Sequence, residues 1–150
     1  MDKEIVVNNI KLAFAEVMLG AGIGLWEAQA IDDYATEEEQ KRNRDKDEKE
    51  AWNRLNCEDL QRCHSSLSFF DAEGMKFHLP AYIVASLENN VDDPLFHLTQ
   101  LDEYAKSKLT ALNTVQRQAI VMYLEWCLEQ EEYEFEYPVI RRALGEYWKV

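Results

Sequence analysis

Basic residues are scarce in this sequence: 16 Lys plus Arg stand against 29 Asp plus Glu, a formal net charge of −13. A field of that sign repels phosphate backbones, anionic headgroups and polyanionic substrates. It argues against direct nucleic-acid binding and against a membrane-surface protein, and it favours a cationic partner. Cysteine is sparse as well. Cys57, Cys63 and Cys127 are an odd number without the spacing of a disulfide framework, which suits a reducing compartment. No stretch approaches the roughly 18 to 20 apolar residues that span a bilayer. The opening MDKEIVVNNIKLAF has no basic n-region ahead of an uninterrupted apolar stretch, so no signal peptide is read and the expected location is the cytoplasm. Internal repeats and low-complexity segments are absent.

The usual carriers of chemistry are missing or incomplete. Cys57, Cys63 and His64 do not have a spacing that folds around a structural zinc, and no second Cys/His pair lies nearby. GAGIG, residues 20–24, resembles half a phosphate loop, but no strand precedes it and no Lys-Ser/Thr follows. Ser65, Ser66 and Ser68 lack an elbow-like glycine pattern. Cys127, between Trp126 and Leu128 on a strongly periodic stretch, is expected to be buried rather than activated. The adjacent carboxylates Asp32/Asp33 and Asp92/Asp93 have the chemistry of a glycosidase pair, yet with 29 acids such neighbours arise by chance. No metal, cofactor or catalytic residue is assigned, and the expectation is a protein that is not an enzyme.

What the chain does have is core material. It is 150 residues long and 47% hydrophobic, with four Trp, seven Tyr and six Phe. A single domain of this size buries roughly two thirds of the surface its unfolded chain exposes. Apolar residues recur at helical spacing from Lys3 to Leu19 and again over LWEAQAIDDY, with Leu25, Ala28, Ile31 and Tyr34 inward. Thr36 and Glu39 have capping-box spacing and open a polar, solvated helix in which Glu37/Lys41 and Glu38/Arg42 can pair, core-facing only near Trp52 and Leu55. Asn56 caps CEDLQRCHSSLSFF, Pro94 starts a further helix, and Asn113 or Thr114 caps VQRQAIVMYLEWCLEQEE. YEFEY, residues 133–137, alternates aromatic and acid and reads as a short extended passage before Pro138 starts the last helix. The predicted fold is all-α, one bundle of about six to eight helices over residues 1–150.

SFFDAEGMKFHLPAY, residues 68–82, gathers Asp71, Glu73, His78 and Tyr82 around a proline. Asp71 is placed to cap a helical turn, Leu79 before Pro80 to end one helix, and Pro80 to start another through Ile83, Val84 and Leu87. His78 and Tyr82 then read as packing groups, with an acid/base cluster as the rival. Trp52 through Leu87, with this corner at its centre, resembles a family of small uncharacterised helical bacterial proteins. A Leu-Ser-Phe stretch, an acid-plus-glycine turn and a Leu-Pro-Ala-Tyr helix start recur in that family, and VQRQAIVMYLEW is similar to its later helix. In size and charge the chain also resembles the immunity proteins of contact-dependent growth-inhibition toxins. That resemblance implies a cytoplasmic protein that covers the active site of a basic nuclease.

Glu125, Glu129, Glu131, Glu132, Glu134 and Glu136 fall within EWCLEQEEYEFE with no Lys or Arg among them, and Trp126, Tyr133 and Phe135 are interleaved. Acids steer a cationic partner and aromatics anchor it. Asp32, Asp33, Glu37 and Glu38, with Glu39 beside them, form a second candidate patch, which the basic residues that follow make less specific. The alternative for both is a solvated surface. The leading expectation is an immunity protein that binds a cationic toxin domain, a ribonuclease first, and blocks substrate access; the rival is a generic acidic adaptor or nucleic-acid mimic.

Overall fold

Helix α5 (Ala72–Glu88) organises the molecule, since eleven of its residues are buried and it therefore has neighbours on nearly every side. In the computed structural model, which describes residues 1–150, it is joined by α1 (Lys3–Ala13), α2 (Leu25–Asp32), α3 (Glu37–Lys46), α4 (Cys57–Arg62), α6 (Leu95–Thr99), α7 (Glu103–Ser107), α8 (Thr114–Cys127) and α9 (Tyr137–Ala143). Three 3-10 turns at Trp52–Arg54, His64–Ser68 and Glu131–Glu136 and one π turn at Leu144–Trp148 complete the chain, which has no strand. The nine α-helices exceed the expected number because α6 and α7 are five-residue pieces. One cluster of 36 buried apolar residues, contributed from Val6 to Trp148, forms the single core.

Pairwise packing follows the apolar faces. α1 lies on α8 and α5, α2 on α3 and on the His64–Ser68 turn, and α6 on α9. Val6, Val7 and Ile10 give α1 its inward stripe, and Ala119, Ile120, Tyr123, Leu124 and Cys127 do the same for α8, whose start carries the Asn113/Gln116 capping box.

Several elements depart from the sequence reading. α1 stops at Ala13 rather than Leu19. The carbonyl of Phe14 accepts the Trp52 indole N–H at 2.9 Å, and Val17 and Leu19 are buried as irregular chain beneath that clamp. α5 runs through Pro80 without a break. An interior proline costs a helix about 3 kcal/mol, and here burial on both sides of Pro80 outweighs that local preference. CEDLQRCHSSLSFF divides into α4 and a 3-10 turn. YEFEY is not extended, because residues 131–136 wind into a 3-10 turn that leads directly into α9.

The glycine loop sets the position of α2. A Cβ on Gly22 would come 2.8 Å from Glu73 Cβ and from Gly74 N, so the loop approaches the start of α5 as only glycine can. Asp71 holds both parts together, accepting from Gly74 N at 2.8 Å as the α5 cap and from Ile23 N at 3.0 Å. α3 buries no residue, as its polarity predicts. It is held by Arg44, which donates to the Gly22 and Gly20 carbonyls, and by Asp47 just past its end, whose carboxylate accepts from Trp26 N and Glu27 N at 2.9 and 3.1 Å. Asp47 thereby caps α2 from the residue that closes α3, and its burial holds its carboxyl above the usual range despite those two donors.

Candidate functional site

The corner around Pro80 is core. His78 and Tyr82 are 0% exposed. Tyr82 donates to the Cys63 carbonyl at 2.7 Å, and burial raises its phenol well above its ordinary value. The His78 ring stacks on Phe70 at 4.2 Å, and its Nδ1–H donates to the Gly74 carbonyl at 2.6 Å. Its Nε2 has no partner, and burial pushes the imidazole down to about 4. Asp71 is exposed and Glu73 pairs loosely with Lys76 at 4.0 Å, so the four groups do not converge on a cleft. Cys63 is equally interior, with its thiol pushed up to about 12, first by burial and then by Asp59.

The first acidic stretch is less bare than its sequence. Folding brings Lys149 to Glu125 at 3.3 Å and the Met1 ammonium to Glu129 at 2.6 Å. Trp126 is buried and Tyr133 packs edge-on against it with ring centroids 6.2 Å apart. Burial, then Cys127 and Glu132, raise the Tyr133 phenol. Glu131, Glu132 and Glu134 remain exposed and Glu136 is half-buried, all four without an ion pair, around a Phe135 that is 87% exposed.

The second stretch is more unusual than its sequence. α2 ends in a Schellman motif: Tyr34 N donates to the Ile31 carbonyl at 3.1 Å and Ala35 N to the Ala30 carbonyl at 2.9 Å. The residue in the left-handed position is Tyr34, with φ 57, where glycine is the usual choice. Instead of lying inward as its spacing predicts, Tyr34 is 96% exposed. Beside it, Asp32 accepts from Ser65 Oγ at 3.0 Å and Asp33 from Gln29 Nε2 at 3.2 Å, whereas Glu37 and Glu38 stand in the first turn of α3. The expected Glu37/Lys41 and Glu38/Arg42 pairs do not form within 4 Å, because on a helix this exposed the long side chains gain more from water. None of the four acids is neutralised by a base. Sequence reasoning missed Tyr34. The available signal was the absence of Gly or Asn after LWEAQAIDD, which forces a side chain into the left-handed cap.

The most voluminous groove, about 570 Å³, lies elsewhere. It runs between the end of α1, the Trp52 turn, α4 and α5, with Leu55, Leu60 and Val84 in its wall and a Lys11–Glu88 pair 3.8 Å apart among its polar residues. No group of three or more His, Cys, Asp or Glu is placed to hold a metal ion, and no helix is long and apolar enough to cross a membrane.

A family model matches residues 1–150 and is described as a family of unknown function (DUF6714). No curated protein and no solved structure matches the chain. The family match agrees with the uncharacterised family implied by the Leu-Pro-Ala-Tyr corner and says nothing of toxins or immunity. The chain belongs to the DUF6714 family over its whole length.

Proposed function

We propose that this protein binds a cationic protein partner through the α2–α3 junction, with Tyr34 as the anchor and Asp32, Asp33, Glu37 and Glu38 as the steering charges. The observation that carries this reading is Tyr34 itself, 96% exposed and at φ 57 amid acids with no internal counter-ion. A left-handed non-glycine residue costs on the order of 1–3 kcal/mol and persists where its surroundings or its use demand it. An aromatic displayed at that cost fits a pocket-filling residue at the centre of an interface. The exposed Phe135 with Glu131, Glu132 and Glu134 is the second contact region.

In its sharpest form the partner is a basic toxin domain, a ribonuclease first. The acids occupy the groups that otherwise hold RNA phosphates, and the protein acts as an immunity protein in the cytoplasm. Fast, salt-sensitive association follows from the net charge of −13. The test is binding to the product of the adjacent gene at low and high salt, using wild type and Tyr34→Gly. Tyr34→Gly is expected to stabilise the fold by about 1 kcal/mol, read by urea unfolding, and to weaken the complex by about tenfold or more. No complex, or a complex indifferent to both salt and Tyr34, overturns the proposal. A salt-sensitive, Tyr34-dependent complex with a basic protein that is not a toxin keeps the binding surface and removes the immunity role.

A further inference from the structure

The positive charge of the molecule has one buried representative. Lys108 is 6% exposed and is the only Lys or Arg in the interior. Its ammonium lies 4.3 Å from the centre of the Tyr104 ring and donates to the Phe70 carbonyl. No carboxylate lies within 4 Å of it, although the chain carries 29 acids and exposed bases such as Arg62 and Lys149 do find partners. An ammonium has three donors. One is spent on Phe70, and burying a charge is costly unless the remainder is satisfied.

A small cavity of about 170 Å³ adjoins this group, bounded by Lys108, His97, Ser68, Asp102, Phe96 and Tyr104. Its shape is set by α6 and α7 meeting the end of the His64–Ser68 turn, and Tyr104 ties that junction by donating to the Ser68 carbonyl at 2.7 Å. Phe96 and Tyr104 are 65% and 62% exposed, so the cavity has two aromatic walls open to solvent. The Phe96 ring meets His97 edge-on at 5.4 Å. The His97 ring has no hydrogen-bond partner within the protein, its backbone N–H alone being engaged, by the Pro94 carbonyl. It is kept neutral, with its imidazole pushed down to about 4 by burial first, then by His64 and Lys108. The cavity thus sets one buried ammonium and one neutral, unpartnered imidazole against a single carboxylate, in a molecule whose acids elsewhere far outnumber its bases. Asp102 is the single acid on its wall, and its carboxylate is engaged in capping α7 through Ala105 N at 2.8 Å.

We propose that this cavity is a binding site for a small monocarboxylate with a planar, aromatic body. Lys108 and His97 meet the carboxylate, and Phe96 and Tyr104 pack against the ring. Asp102 selects against a second negative charge. The site is separate from the α2–α3 junction, and its occupation does not depend on the proposed protein partner.

The probe is benzoate, with acetate and inorganic phosphate as controls, followed by NMR of the three histidine rings at pH 7. Saturable shifts are expected at His97 with benzoate, together with a rise in the pH at which His97 titrates, and not at His78. Acetate is expected to bind about tenfold more weakly and phosphate not to saturate. Lys108→Met should weaken benzoate by at least about tenfold. Should that variant fail to fold, Phe96→Ala, at an exposed position, should weaken benzoate by about fivefold with the fold intact. Absence of a saturable His97 shift, equal affinity for acetate, or unchanged benzoate affinity in the folded variants overturns the proposal.

Discussion

At the scale of single residues, His78 is the group whose environment most constrains its chemistry. Its imidazole is fully enclosed between Phe70 and Phe77 and titrates near 4 in the folded state, against about 6.5 in an unfolded chain. The folded protein therefore refuses a proton that the unfolded chain accepts. This contribution to stability is fully present above about pH 6.5 and is lost as the pH falls toward 4, roughly 3 kcal/mol in all. Urea unfolding at intervals from pH 7 to 4 is expected to show that decline, and His78→Phe, which keeps a ring against Phe70, is expected to flatten part of it. His97, shifted in the same direction, leaves a residual slope in the variant. An unchanged pH profile in His78→Phe would place the acid sensitivity elsewhere.

At the scale of elements, the legible parts of the sequence were those in which one local signal dominates. The Asn113-Thr114 pair announces the start of α8, where Asn113 proves to be the cap, Asp71 announces that of α5, and the polarity of EEEQKRNRDK announces a helix with nothing to bury. What could not be read depends on partners far along the chain. The end of α1 is decided by Trp52, 38 residues away, and the passage of α5 through Pro80 by the burial of both its halves. The candidate surface divides in the same way. The acids were visible, but their neutralisation by Lys149 and the N-terminus and the left-handed display of Tyr34 are tertiary facts. Asp47 is the sharpest case of action at a distance, since it closes α3 and caps α2. Asp47→Ala leaves two backbone N–H groups at a helix start without their acceptors, and a loss of about 1–3 kcal/mol is expected in thermal or urea unfolding. A loss no larger than that of Asp45→Ala, at an exposed position two residues earlier, would mean that water replaces the cap.

At the scale of the whole molecule, a charge of −13 on 150 residues is a standing repulsion. Nine ion pairs offset it, and several, such as Arg54 with Glu50 at 3.8 Å and Lys11 with Glu88 at 3.8 Å, are long and exposed, so each contributes little. Salt screens both terms, but the repulsion is the larger. The melting temperature is accordingly expected to rise as NaCl increases from about 10 mM to about 500 mM, where the Debye length contracts from about 30 Å to only a few ångströms. A flat or falling curve would show that the ion pairs matter more than the excess charge. The same screening opposes the proposed binding of a cationic partner, so one salt series read by melting and by affinity to that partner should move the two quantities in opposite directions.

α3 contributes no side chain to the core and is held by Arg44 within it and Asp47 just beyond it. In evolutionary terms this is a stretch of nearly free sequence hung from two fixed points. Its outward charges can be substituted without disturbing the fold, so the proposed α2–α3 interface can be retuned while the scaffold stays unaltered.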